Sequence, residues 1–190
     1  MRRRRSSRRS GRVDEVRCLA VLAALLSAGT ADANQRSAAV VNAFATYCTP
    51  GPPDFAAIDA RATALKFPVE KDVSAPPQPD QSARSKSWRV ALEGGGSFEL
   101  VAAEAHAPKR EAASCGIGAE GVDGQTLKQD LAKALKLAPP LHETTSADGT
   151  QHTTMWGYGE DLTLMLVDGA TPMAKPGVYL TMLYHRDLSR

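Results

Sequence analysis

SWRVALEGGGSFELVAAEAH, residues 87–106, decides the architecture, because its apolar residues recur at every second position and not at helical spacing. Trp88, Val90 and Leu92 alternate with Arg89 and Glu93, the period of a strand with one buried face. Gly94-Gly95-Gly96 offers the positive φ that a tight hairpin needs, so Ser97 to His106 is expected to return as a second strand. Ala113 to Ile117 reads as a short third strand.

Toward the C-terminus a helix is expected from Asp123, whose carboxylate can accept an amide hydrogen bond that the first helical turn leaves free. Leu127, Leu131, Ala134 and Leu135 line its buried face, Lys133 and Lys136 suit its C-terminal dipole, and Pro139-Pro140 ends it. Gln151 to Tyr158 then pairs with Asp161 to Val167 through Gly159-Glu160, and Val178 to His185 forms a last strand. Leu162, Leu164 and Leu166 alternate with Thr163, Met165 and Val167, so both faces of that strand are largely apolar and it belongs inside a sheet.

Toward the N-terminus, residues 68–87 (PVEKDVSAPPQPDQSARSKS) are rich in proline, serine and charge and read as an exposed loop. Two helices precede it, Arg36 to Cys48 and Asp54 to Lys66, separated by Thr49-Pro50-Gly51-Pro52-Pro53. The fold class expected is α+β: an N-terminal helical hairpin over 34–67, then a mainly antiparallel sheet of about six strands, with a further helix between two three-strand halves. Residues 88–190 form the α+β core, one domain together with 34–67. No internal repeat is evident in the residues.

Residues 1–33 form a different unit. Eight arginines precede the run LAVLAALLSAGT at 19–30, and Ala31-Asp32-Ala33 follows it. A cationic end, a short apolar helix and small residues at the end form the pattern of a cleaved export signal. The run of 12 residues is short of the roughly 20 that span a bilayer. Cleavage is expected after Ala33, giving a periplasmic or secreted protein of a bacterial envelope. Cys18 precedes the apolar run, whereas a lipidated cysteine follows it. Ser7-Arg8-Arg9 lacks the apolar residues that a twin-arginine signal places behind its pair.

Removing the signal changes the charge. The whole chain carries 23 Lys+Arg and 21 Asp+Glu, and without residues 1–33 it keeps 15 basic and 18 acidic side chains, a formal net charge of −3. A basic surface for nucleic acid is therefore not expected. Cys48 and Cys115 remain after cleavage, and in an oxidising compartment they are expected to pair as a structural disulfide.

Catalytic motifs are sparse. Gly116-Ile117-Gly118-Ala119-Glu120-Gly121 has G-x-G-x-x-G spacing between an expected strand and helix, but lies among hairpins and not in a parallel βαβ unit. It reads as a glycine-rich strand-to-helix turn. His106, His142, His152 and His185 lack the close spacing of zinc ligands, and G-x-S-x-G is absent. No catalytic residue, metal or cofactor is assigned. Trp156 and Tyr158 share one strand face with His152 and form a candidate binding surface. The expected function is a non-enzymatic binding or accessory protein for a protein or small-molecule ligand of the envelope. The alternative is a small hydrolase with a site assembled from distant residues, His152, His185 and Asp168.

Overall fold

The computed structural model describes residues 35–75, 80–92, 96–170 and 176–188. The expected signal at 1–33 and its cleavage after Ala33 lie outside these. Eight strands form one sheet in the order β1-β2-β3-β4-β8-β7-β6-β5, every neighbouring pair antiparallel. They are β1 (Val69–Ser74), β2 (Ser82–Ala91), β3 (Ser97–Ala107), β4 (Arg110–Glu120), β5 (His142–Thr145), β6 (Gln151–Gly157), β7 (Leu162–Ala170) and β8 (Pro176–Asp187). Among the described residues three helices accompany them: α1 (residues 35–47), α2 (Phe55–Ala64) and α3 (Gly124–Ala134).

This corrects the expectation of about six strands behind a helical hairpin. The two additional strands, β1 and β5, are the edges of the sheet, and every residue in both is exposed. An edge strand with no buried face has no reason to alternate apolar and polar residues, so its period is silent in the sequence. The segment 68–87, read as a loop, instead carries β1 and the first part of β2. Their ladder is supported by charge pairs from Arg89 to Glu70 at 2.9 Å and from Lys86 to Asp72 at 3.8 Å. The two halves are not separate three-strand units but four-strand meanders, fused along β4 and β8.

The helices at the N-terminus are not a unit ahead of the sheet. Val40, Val41 and Phe44 of α1 and Phe55, Ile58 and Ala62 of α2 join one core with Trp88, Leu100, Ile117, Leu180, Leu164 and Trp156 of the strands and Leu127 and Leu131 of α3. Burying each large apolar side chain contributes about 2 kcal/mol, and one sheet face collects nearly all of them. Asp54 and Asp123 cap α2 and α3 by accepting from the amides of Ala57 and Thr126 at 3.0 and 2.8 Å. The Thr126 bonds hold the Asp123 carboxyl below the usual range. Cys48, at the end of α1, is disulfide-bonded to Cys115 of β4 with a Cα separation of 5.3 Å, within the span such bonds use. Among the described residues no helix is long and apolar enough to cross a membrane.

The pairing registers reveal a repeat that the residues conceal. Each half is a helix followed by a four-strand meander: α2 with β1 to β4, and α3 with β5 to β8. In the first, Trp88 lies opposite Leu100 and Leu100 opposite Ile117; in the second, Trp156 lies opposite Leu164 and Leu164 opposite Met182. Across the fusion Ile117 pairs with Leu180 and Cys115 with Met182, so matching Ile117 to Met182 and Cys115 to Leu180 exchanges these two pairs. That exchange is the signature of an approximate two-fold axis, passing through the Gly116 and Thr181 pair. Both helices end on Ala-Leu-Lys, at 64–66 and 134–136, with the lysine at positive φ.

Candidate functional site

All three helices contribute to the core on one face of the sheet, and the opposite face carries the alternate residues of each strand. Among the described residues no helix covers this opposite face, and in the first half this helix-free face shows Val73 on β1, Ala83, Ser85 and Ser87 on β2, Val101, Ala103 and Ala105 on β3, and Ala112 and Ser114 on β4, with Leu183 and His185 beside them on β8. Short side chains on a sheet leave space above it. A groove of about 550 Å³ follows, lined by Val73, Ala83, Ala103, Ala105, Ala112 and Leu183 among others. A second recess of about 310 Å³ adjoins it through the shared Val73 and Ser85, and reaches Ser87, Lys71, Glu99, Val101 and Tyr179. Both volumes fall in the range of small-ligand sites.

Ser87 is the chemical anomaly of this face. It is only 3% exposed, and among the described residues its Oγ is the buried side-chain oxygen without a hydrogen-bond partner. Such a group costs about 1–3 kcal/mol of lost hydration. At the back of the recess Tyr179 lies across β4, where a Cβ on Gly116 would come within 2.8 Å of its hydroxyl. Burial pushes the Tyr179 phenol above its ordinary value; Glu99's charge adds to this and a hydrogen bond with Thr181 opposes it.

The second half differs at three of the corresponding positions. With Trp88 matched to Trp156 and Leu100 to Leu164, Ser87 corresponds to Met155, Val101 to Met165, and Ala103 to Val167. Larger side chains stand at each of these positions on the same backbone plan.

The glycine motif is placed differently from the expectation of a turn. Gly116 and Gly118 lie inside β4, paired with β3 and β8, and only Gly121, at φ +66°, occupies the turn. Backbone amides engaged in a sheet ladder are not offered to an anion.

Of the candidate binding residues, Trp156 is 2% exposed and packs in the core, Tyr158 is half-buried against it, and His152 is exposed. The open aromatic face is therefore closed at Trp156, because the helices cover that side of the sheet. The hydrolase constellation is divided. His152 and Asp168 are cross-strand partners on β6 and β7, but Asp168 pairs with Val178 whereas His185 lies seven residues further along β8, about 24 Å at strand rise. His152 Nδ1 is 3.0 Å from Thr145 Oγ1 on the exposed edge, a contact without a signal in the sequence because β5 itself has none. Under the repeat, His152 and Asp168 correspond to Arg84 and Glu104, an ion pair at 2.7 Å whose Arg84 guanidinium lies 4.0 Å above the Phe55 ring. Cross-strand ionisable residues near a strand end occupy this position in both halves, as a salt bridge in the first. Burial foremost, then the Asp123 charge, raises the Asp168 carboxyl above the usual range, while His152 and the Gly169 amide act in the other direction. Among the described residues no group of three or more His, Cys, Asp or Glu is placed to hold a metal ion.

The described residues thus define a domain of two helix-and-meander halves with a groove on the sheet face that no described helix covers. No protein-family model matches the chain, and no curated protein or solved structure matches it either.

Proposed function

We propose that this chain is an exported, non-enzymatic binding or accessory protein whose working surface is the helix-free sheet face of its first half. The observation that carries the reading is a groove floored by Ala83, Ala103 and Ala112 beside a buried hydroxyl with no partner, with Ser87, Val101 and Ala103 standing where the second half places Met155, Met165 and Val167. Small residues forgo apolar burial, and an unpartnered hydroxyl opposes folding, so the arrangement serves something other than stability. The Cys48–Cys115 bond supports a location in an oxidising compartment, as does the export-type leader at 1–33.

Mass spectrometry of the protein purified from its native cells tests both parts. The expected result is a chain beginning at Asn34, two hydrogens lighter than its reduced mass, carrying a small molecule that is released on denaturation. An unprocessed chain, or one free of ligand in every preparation, contradicts the proposal.

A further inference from the structure

We infer that the groove takes a single-chain amphiphile, an acyl chain lying along Val73, Ala83, Ala103, Ala112 and Leu183 with its oxygen-bearing head at Ser87 and Lys71. This rests on the reading of the helix-free face as a binding surface and names what it binds.

Two properties of the groove choose the ligand class. Its larger part is lined mainly by methyl and methylene groups from alanine, valine and leucine, and the strands beneath spend their backbone hydrogen bonds on one another. A peptide laid there would bring an amide and a carbonyl per residue with little to receive them. A hydrocarbon chain brings none and gains by leaving water. Arg84, Ser85, Glu104, Ser114 and His185 also border the groove, and the adjoining recess adds Lys71 and Ser87. There Ser87 Oγ, buried and unpartnered, can donate to or accept from an incoming oxygen. Lys71, directly opposite Ser87 on β1, is exposed and has no ion-pair partner among the described residues, so its ammonium is available to an anionic head. Glu99 also lines the recess and repels an anionic head, which leaves Ser87 and Lys71 to receive it. The result is a mainly apolar floor with a hydroxyl and an ammonium at the Ser87 and Lys71 end, which suits a fatty acid.

The second half supplies the blocking variant. Ser87→Met/Val101→Met/Ala103→Val transplants side chains that the matching positions already carry on the same backbone plan. Decanoate, below its micelle concentration, is titrated by calorimetry into the natively purified protein, the triple variant and Ser87→Ala, with near-ultraviolet circular dichroism and the melting temperature confirming that each is folded. The expected result is one decanoate per chain, affinity at least tenfold weaker in the triple variant, and several-fold weaker in Ser87→Ala with its melting temperature unchanged or raised. Decanoate that does not bind the parent protein, or binds the triple variant equally well, overturns the amphiphile assignment. If the native protein then still carries another ligand that the triple variant lacks, the binding-surface reading survives that failure. If neither protein carries one, both fall.

Discussion

The two halves of the sheet share a plan on one face and part company on the other. Under the helices the correspondence is close: Trp88, Leu100 and Ile117 in the first half, Trp156, Leu164 and Met182 in the second, all buried. On the helix-free face Ser87, Val101 and Ala103 stand where the other half has Met155, Met165 and Val167. The side that sets stability tolerates few solutions, because a close-packed interior penalises both cavities and excess volume. The side that no described helix covers is free of that demand, and there the halves differ, with the groove lying on the first. The first half also has a covalent tie from its helical layer to the sheet, Cys48 to Cys115, whereas α3 is held by Leu127 and Leu131 in the core.

The largest effects should fall equally on the shared face. Trp88→Ala and Trp156→Ala are each expected to cost about 4 kcal/mol in urea unfolding, as large-to-small core changes do. A near-neutral Trp156→Ala would break the equivalence of the halves. Removing the covalent tie with Cys48→Ala/Cys115→Ala should cost about 4 kcal/mol on the chain-entropy account. Before that, the unreduced, denatured chain beginning at Asn34, which lacks Cys18, should not react with a thiol reagent. A smaller effect, about 2 kcal/mol, is expected from Gly124→Ala, since a Cβ there would collide with the Asp168 carboxylate, and overpacking of this kind costs about 1–3 kcal/mol. The first half has Phe55 at the corresponding first helical position, so this constraint belongs to the second half alone.

The smallest effect concerns pH. Asp168 has a folded pKa above its unfolded value, so its contribution is full below the ordinary carboxylate range and is lost as pH rises through the raised value. Asp168→Asn removes that loss. Its stability relative to the parent protein should therefore improve as pH rises from about 4 toward neutrality, read from urea midpoints at several pH values. The opposite trend would mean that His152, not burial, dominates the carboxylate.

The six inner strands are legible in the sequence because burial imprints a period on them; Leu162 to Val167 announces an interior strand directly. β1 and β5 are not, since wholly exposed edges carry no such imprint. Asp54 and Asp123 mark two helix starts through local capping chemistry, and Cys48 and Cys115 identify their bond because few cysteines remain to choose from. The repeat escapes notice because the halves share little beyond a tryptophan each and the Ala-Leu-Lys helix ends. What matches is cross-strand pairing, which exists only once the sheet has formed. The groove is hidden for a related reason. Ala103, Ala105 and Ala112 read as unremarkable strand residues until the helices are seen to occupy the other face, and Ser87 lies where a polar loop was expected to end. Trp156 drew attention as a large aromatic on a strand, yet size is also what makes it a core residue.

Hydrogen–deuterium exchange of the natively purified protein with and without decanoate tests most directly whether one face of one half is the working surface. Slower exchange should be confined to peptides covering β1, β2, β3, β4 and the Leu183–His185 end of β8, with α3, β5 and β6 unchanged. Protection centred on α3 or the second half, or none at all, would contradict the account.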